Sequence, residues 1–240
     1  AAILTLICAP LHLFVLPTAA ERARAQTNPL PHSDTSQTLQ EKRAQGPEWQ
    51  ALGLFALVIM AHGFVTSAFS VHVIHVLDQL GLGEAIAVTA GAMIGPSQVI
   101  ARLIEMLYGR HIPALTLGLA SVALLPIAFL LLMILPHSLF SAGLFALTYG
   151  ASNGLVTIVR GVVPLALFGP DGYGRRLGLI SGPALALKAG APMILGAALT
   201  GQGVSAVILI SLSCGLAALL AMATLFLSLI HISEPTRRRG

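Results

Sequence analysis

Six apolar segments, separated by short connections, fill residues 51–226 of this 240-residue chain. They cover residues 51–76, 84–108, 113–135, 138–163, 177–200 and 204–226. Each is longer than the roughly 20 apolar residues with which a helix crosses a bilayer. Because lipid offers no hydrogen bonds, a spanning backbone must satisfy its own polar groups, which favours helices and excludes an open sheet. The pattern predicts an all-α, polytopic membrane protein with a six-transmembrane-helix bundle.

The composition excludes a soluble globular domain. Hydrophobic residues make up 56% of the chain and charged residues 9%, whereas an ordinary soluble domain carries roughly 25% charged residues. The net charge of +4 does not indicate a nucleic-acid partner, because the basic residues flank apolar segments, where they set orientation. No Gly-x-x-x-x-Gly-Lys-Ser/Thr loop for ATP is present in the sequence. We expect the lipid bilayer as a partner, and no nucleic acid, cofactor or metal.

Basic residues occupy every second connection. The linker before the first segment, the loop at 109–112 and the loop at 164–176 contain seven Lys and Arg between them, and the three alternate connections contain none. The positive-inside rule therefore places the linker and both basic loops on the cytoplasmic side. With six crossings, the C-terminus lies on that side as well. The expected location is the cytoplasmic membrane of a bacterium.

The two ends of the chain differ from the six-segment region. Residues 1–17 read as the end of a preceding transmembrane helix, and residues 18–50 as a polar cytoplasmic linker. Near the other end, residues 227–237 read LSLIHISEPTR, which is similar to the translation of a transposase adapter used in sequencing libraries. We interpret residues 227–240 as an adapter-derived artefact. A natural basic tail that touches lipid headgroups is the alternative.

Small residues and prolines suggest how the helices pack. Gly174, Gly178, Gly182, Ala186 and Gly190 recur every four residues, which predicts a smooth face for close helix contact. The pairs Gly91–Gly95 and Gly150–Gly154 have the same spacing. Prolines at 96, 183 and 192 interrupt helical hydrogen bonds and predict kinks. Such helices suit either a moving bundle or tight static packing.

Two stretches and the overall topology resemble a known family. Residues 95–105 read GPSQVIARLIE, followed by Gly109-Arg110, and residues 168–178 read FGPDGYGRRLG. The first stretch is similar to the C-terminal copy of the loop signature of the major facilitator superfamily. The second resembles the loop before its eleventh helix. The resemblance covers residues 1–226: the sixth helix, the central loop and the C-terminal six-helix half. It implies alternating-access secondary transport and a missing N-terminal six-helix half as a partner.

Polar side chains inside apolar segments are candidate functional residues, because charge at membrane depth is costly and normally faces a cavity or a partner. The substrate or coupling candidates are His62, Gln98, Asn153, Arg160 and Lys188. Gln98, Arg102 and Glu105 share one helical face, and Tyr149, Asn153, Thr157 and Arg160 form a second polar stripe. For His62, helix packing and proton coupling are both open. Arg160 either pairs with the Asp171 loop, extends to lipid headgroups or contacts substrate. Lys188 serves either a ligand or a structural pair.

The gate candidates lie toward the cytoplasmic end. They are Arg102, Glu105, Arg110, Asp171, Arg175 and Arg176. Arg102 and Glu105 are expected to form an ion pair at the inner mouth that stabilises a closed state. His72 and His75 have a spacing seen in metal sites, but no third ligand is close in sequence, so solvation at the membrane interface is the preferred interpretation.

Cations outnumber anions inside the predicted membrane region. There are three cations, Arg102, Arg160 and Lys188, and one anion, Glu105. Surplus positive charge favours an anionic substrate. The predicted function is secondary transport of a small solute, coupled to protons, with an organic or inorganic anion as the substrate hypothesis. Efflux of drugs or metabolites by the same fold and a non-transporting scaffold or receptor are the alternatives. A membrane enzyme is not expected, because His72, His75 and Asp78 are the only clustered candidates for chemistry.

Overall fold

The computed structural model describes residues 47–233. The predictions for residues 1–46 and 234–240 lie outside the described residues. Six long helices make up the described chain, and each is long and apolar enough to cross a membrane. They are α1 (Pro47–Leu77), α2 (Glu84–Tyr108), α3 (Ala114–Ile134), α4 (Leu139–Phe168), α5 (Tyr173–Gln202) and α6 (Val204–Ser233). The prediction of an all-α protein with six candidate membrane spans is confirmed, and the architecture is that of an integral multi-pass membrane protein.

The connections between the helices are short. A π-helical turn (Asp78–Leu82) follows α1, and a 3-10 turn (Gly109–His111) follows α2. Only Gly203 separates α5 from α6, and its φ of 82° is a conformation that side-chain-bearing residues rarely adopt. At the start of α4, Ser138 and Ser141 form a reciprocal capping box through their hydroxyls and backbone N–H groups. These devices end one helix and begin the next within a few residues, as an antiparallel bundle requires.

The helices pack as two interlocked triplets, α1–α3 and α4–α6. The main neighbours of α1 are α5 and α6, and the main neighbours of α4 are α2 and α3. The first helix of each triplet therefore packs against the second and third helices of the other. The third helices, α3 and α6, also contact each other. Because each triplet holds three alternating helices, the two triplets run in opposite directions.

The hydrophobic core divides into two clusters along the bundle. The cluster nearer the start of α1 includes Phe55 and Val58, and the other includes Phe69 and Leu77. In the second cluster four aromatic rings from α1, α3 and α4 pack with centroids 5.1–6.2 Å apart. On α1, α4 and α5, His62, Ser152 and Lys188 lie between residues of the two clusters, and Ser121 of α3 lies at the edge of the first cluster. We refer to these four residues as the polar layer.

Close backbone contact occurs between α2 and α4, and it is carried by the Gly150–Gly154 pair. A Cβ at Gly150 would lie 2.7 Å from the carbonyl oxygen of Ile94, and one at Gly154 would lie 2.6 Å from that of Gln98. Only glycine permits this approach. The predicted pair spacing thus marks a real helix crossing at these two positions.

The glycine row of α5 behaves differently from the prediction. No described atom lies within 4 Å of a Cβ built at Gly174, Gly178, Gly182 or Gly190. The row faces away from the other described helices, so the close helix contact predicted for it does not occur within residues 47–233. The physical reason is the opposite face of α5, where buried Ile180, Ala184, Ala191 and Leu195 turn that apolar side toward the bundle.

An ion pair joins the first turn of α1 to the first turn of α5. An Arg176 guanidinium nitrogen lies 2.6 Å from the Glu48 carboxylate. The same guanidinium donates to the backbone carbonyls of Phe168 and Asp171 and lies 5.5 Å from the centroid of the Phe168 ring. The start of α1 and the α4–α5 connection therefore share one end of the bundle.

We expect Arg176→Gln to lower the free energy of unfolding by about 1–3 kcal/mol, because it removes hydrogen bonds to a charged partner and to two carbonyls. The matched control is Arg175→Gln. Arg175 is exposed and makes no hydrogen bond within residues 47–233, so its change should stay within about 0.5 kcal/mol. Thermal unfolding of both variants in detergent measures the difference. Equal effects of the two substitutions would contradict the assignment of Arg176 as the residue that joins these helix ends.

Candidate functional site

The polar layer is held together by a buried hydrogen-bond chain across three helices. His62 Nε2 on α1 lies 3.1 Å from Ser152 Oγ on α4. Ser152 Oγ in turn donates to the backbone carbonyl of Ser121 on α3, at 2.8 Å. His62 is 2% exposed, and both serines are fully buried. The chain therefore links α1, α3 and α4 at the gap between the two hydrophobic clusters.

The direction of this chain follows from counting protons. A serine hydroxyl has one proton to donate, and that of Ser152 goes to the Ser121 carbonyl. Ser152 Oγ must then accept from His62, so His62 Nε2 carries a proton. The arrangement favours the packing interpretation of His62, because the ring is enclosed and already bonded. Its use in proton coupling stays a prediction.

Lys188 enters the polar layer from α5. Its side chain lies along Gly63 of α1, where an added Cβ would be 3.1 Å from Lys188 Cε. Pro192 lacks an N–H and therefore leaves the Lys188 carbonyl without its usual helical donor. Ser67 Oγ of α1 donates to that carbonyl at 2.9 Å. The glycine and the serine of α1 thus fix both the side chain and the backbone of Lys188.

A second cation inside the apolar segments, Arg160, lies on α4. Within residues 47–233 the one side-chain ion pair is Arg176–Glu48, so neither Lys188 nor Arg160 has a described carboxylate partner. The predicted alternative in which Arg160 pairs with the Asp171 carboxylate does not occur in this structure. The positive charges of Lys188 and Arg160 are therefore not neutralised by a described carboxylate.

A cleft between α1, α2 and α4 brings together two further predicted candidates. Gln98 from α2 and Asn153 from α4 both line it, with Thr66 and Tyr149 beside them. Its volume is about 170 Å³, and the Tyr149 hydroxyl donates to the Thr66 carbonyl at 3.4 Å. The second polar stripe of the sequence therefore begins at a cleft and leads along α4 to Arg160. The cleft can hold a few waters or a small polar group.

The gate candidates Arg102 and Glu105 do not form the expected ion pair in this structure. Arg102 Nε donates to the Gly154 carbonyl at 3.2 Å, and the Glu105 side chain lies against Gly109. The physical reason is the close α2–α4 crossing, which brings the Gly154 carbonyl within reach of Arg102. The Arg110 side chain lies outside the described part of the chain. Asp171 is exposed in the α4–α5 connection, and Arg175 is exposed in the first turn of α5.

His72 and His75 are each engaged by a different partner. His72 Nε2 donates to the Pro192 carbonyl of α5 at 3.0 Å, and the Gln79 amide donates to His75 Nε2 at 3.0 Å. No group of three or more His, Cys, Asp or Glu that could hold a metal ion occurs among the described residues. The two histidines thus form contacts at the end of α1 rather than one shared site.

Sequence reasoning missed four residues that the structure places in these contacts. Glu48 was assigned to a linker, and Ser67, Ser121 and Ser152 are small hydroxyl residues in apolar segments. Such serines are common and usually bond to their own helix, so sequence alone does not distinguish those that cross to another helix. The proline four residues after Lys188 was the one usable signal, because it predicts a free carbonyl that a neighbour must satisfy.

The buried chain yields a double-mutant prediction. We expect His62→Ala to lower the free energy of unfolding by about 1–3 kcal/mol, because it removes the donor to a buried hydroxyl. Combined with Ser152→Ala, the two losses should be non-additive by about 0.6–1.7 kcal/mol, the range of hydrogen bonds between membrane helices. His75→Ala is the control, because His75 is exposed and bonds only within its own end of α1. Additive losses measured by thermal unfolding would contradict the chain.

Comparison with known proteins gives no match: no protein-family model, no curated protein and no solved structure corresponds to this sequence or its fold.

Proposed function

We propose that this chain is one half of a secondary active transporter of the major facilitator type, and that it moves a small anion by alternating access. The observation that carries the proposal is Lys188, a cation in the polar layer that has no described carboxylate partner. Charge at this depth is expensive, and proteins retain it there mainly along substrate or ion pathways. A passive scaffold has no need of it.

The interlocked triplets support the transporter architecture. Transporter halves of this type are built from three-helix repeats of opposite orientation, with the substrate site near the bilayer midplane. Two features of the described bundle support the proposal. Helix α1 packs against α5 and α6 while α4 packs against α2 and α3, and the polar layer lies between the two hydrophobic clusters. The same architecture implies an N-terminal six-helix half as a partner and a location in the cytoplasmic membrane of a bacterium.

The charge balance supports an anion as the substrate and protons as the coupling ion. Lys188 attracts anions to the level of the polar layer, and Arg160 adds a second cation farther along α4. Gln98 and Asn153, which have no hydrogen-bond partner within residues 47–233, offer neutral polar groups to the same substrate. An anion bound at a basic site near the midplane can take up a proton and then be released. Such a step is one way to couple the movement of an anion to a proton gradient.

The test begins with the complete gene, obtained by long-read sequencing across the locus in the source DNA. We expect about six further apolar segments upstream and in frame. The complete protein is then reconstituted in proteoliposomes, and exchange of labelled sulfate, succinate and acetate is measured. A lipophilic cationic dye is included as the substrate of the competing efflux function.

Saturable exchange of an anion, reduced in Lys188→Met, is the expected result. Transport of the dye without any anion would favour drug efflux and contradict the anion proposal. An upstream frame without apolar segments, together with no exchange of any substrate, would contradict the transporter proposal as a whole.

A further inference from the structure

A second cleft lies at the end of the bundle where α1 and α5 begin. Its volume is about 240 Å³, and it shares no lining residue with the cleft at Gln98 and Asn153. One side of it belongs to α1 and the other to α5. The lining includes Glu48, Trp49, Leu52, Arg175, Arg176 and Leu179.

One positive charge in this cleft has no partner. The lining contains one carboxylate and two guanidinium groups. Arg176 is paired with Glu48 at 2.6 Å, so these two charges cancel. Arg175 is exposed and makes no hydrogen bond within residues 47–233. The cleft therefore carries one uncompensated positive charge, and a ligand with one negative charge complements it.

Trp49 adds an exposed aromatic ring to the same cleft. It is 62% exposed, and its indole N–H, which can only donate, has no hydrogen-bond partner among the described residues. Tryptophan is enriched where the bilayer core meets the headgroups, because its ring is apolar and its N–H is polar. The cleft thus combines free donors with the apolar surface of Leu52 and Leu179.

The position of these residues along their helices places the cleft at the level of the lipid headgroups. Trp49 stands two residues before the apolar segment that begins at residue 51, and Arg175 stands two residues before the one that begins at residue 177. At 1.5 Å per residue, each lies about 3 Å outside the apolar part of its helix. Leu52 and Leu179 lie inside the apolar segments. This placement is the same whichever side of the membrane the cleft faces.

We propose that this cleft binds the headgroup of an anionic phospholipid. The phosphodiester accepts hydrogen bonds from the Arg175 guanidinium and the Trp49 indole, and an acyl chain lies along Leu52 and Leu179. Basic pockets between transmembrane helices are known sites for such headgroups. A zwitterionic lipid carries its own positive group beside the phosphate, so it complements Arg175 less well. A soluble phosphate lacks the apolar part that the two leucines contact, which favours a lipid over a free anion. The inference does not depend on the proposed transport function.

The experiment uses Trp49 as the probe. It is the single tryptophan of the 240-residue chain, so tryptophan fluorescence reports on this cleft alone. The purified chain is reconstituted in phosphatidylcholine vesicles that contain a rising fraction of lipid with brominated acyl chains, which quench tryptophan on contact. The brominated lipid is phosphatidylglycerol in one series and phosphatidylcholine in the other. Quenching at equal fractions gives the relative affinity of the two lipids for the cleft.

We expect phosphatidylglycerol to be preferred about fivefold, which is the effect of one arginine close to an anionic headgroup. Arg175→Gln should make the two lipids equal. The matched control is Arg110→Gln, which removes the same charge from the α2–α3 connection and therefore reduces the general attraction to an anionic bilayer equally. That variant should keep the preference. Circular dichroism checks that each variant retains its helices.

Several results would overturn the inference. Equal quenching by the two lipids in the parent chain would remove the argument from charge. A preference that survives Arg175→Gln would assign it to the general attraction between a basic protein and an anionic bilayer. Relief of quenching by added glycerol 3-phosphate or inorganic phosphate would identify a site for a soluble anion. Absence of quenching by either lipid would mean that another part of the chain covers Trp49.

Discussion

Replacing both Gly150 and Gly154 by alanine is expected to destabilise the bundle by about 2–6 kcal/mol in total, at about 1–3 kcal/mol for each site. The added Cβ atoms would lie 2.7 Å and 2.6 Å from carbonyl oxygens of α2. The atoms in the way belong to backbone, which cannot rotate aside as the tip of a side chain can. The two helices must separate, and overpacking of this kind costs about 1–3 kcal/mol at each site.

Separation of α2 and α4 has a second consequence. The Gly154 carbonyl that accepts from Arg102 moves away with α4, so one interhelical hydrogen bond weakens as the glycine contact is lost. Neighbouring residues of the cleft, Gln98 and Asn153, lie at the same crossing. The double variant should therefore unfold at lower temperature and also change the shape of the candidate site.

The chain provides a matched control for this experiment. Gly178→Ala with Gly182→Ala adds the same two methyl groups to another helix, where no described atom lies within 4 Å of either Cβ. Alanine has the higher helix propensity, so this variant should be as stable as the parent or slightly more stable. Titration with SDS, followed by circular dichroism, compares the two double variants. Equal destabilisation would mean that α5 carries a close contact that the described bundle does not contain.

The contrast between these two glycine sets shows where sequence reasoning reaches its limit. Four-residue spacing places small residues on one helical face, and it does so for both sets. It does not say which neighbour that face meets. On α4 the glycine face meets α2, whereas on α5 the buried residues Ile180 and Leu195 direct the glycine row away from the bundle. The longer and more regular row was the less informative one within this bundle.

The six helices could be predicted from the sequence because the hydropathy of a long segment is enough to identify a membrane-spanning helix. Long apolar segments must be helical in lipid, and α2 begins at Glu84 and ends at Tyr108, as its hydropathy predicts. Other helices continue past their apolar segment. The fifth helix, α5, begins at Tyr173 rather than at residue 177, directly after Gly172 with its left-handed φ of 64°. Hydropathy locates the membrane-crossing part of a helix, and it does not locate a polar first turn that precedes this part.

The sequence predicted which residues belong to the candidate site, but it did not predict which residues they contact. Charged residues in apolar segments stand out in sequence, so Arg160 and Lys188 were identified as candidates. Their partners are separated by long stretches of chain; Ser67, for example, lies 121 residues from the Lys188 carbonyl that it contacts. No local pattern encodes such a contact. The ion pair predicted from closeness in sequence, Arg102–Glu105, is the one that the α2–α4 crossing replaces with a bond to Gly154.

Lys188→Met is expected to stabilise the protein and, in the complete protein, to abolish most of the proposed anion exchange. One cation at membrane depth costs about 2.5–3.5 kcal/mol on insertion scales, so its removal should raise the free energy of unfolding of the ligand-free protein by up to about 3 kcal/mol. Methionine keeps the unbranched side chain that packs along Gly63.

The loss of function has a separate cause and a separate magnitude. A hydrogen bond to a charged group contributes about 1.5–3 kcal/mol, which corresponds to a loss of about 10- to 150-fold in anion affinity. Thermal unfolding without anions measures the first effect, and exchange of labelled succinate or sulfate in proteoliposomes measures the second. Lys188→Arg is the control, because it should leave both quantities close to those of the parent.

Lys188→Met is expected to raise stability and to lower anion exchange, and these opposite signs distinguish a ligand-binding role of Lys188 from a structural one. A residue that serves only the fold loses stability and activity together when it is replaced. A residue kept for a ligand lowers stability in the ligand-free state, since proteins retain such strain where function requires it. A lower unfolding temperature for Lys188→Met would therefore assign Lys188 to the structure of the bundle. Succinate and sulfate exchange at the parent rate, in a variant that still folds, would remove Lys188 from the substrate site.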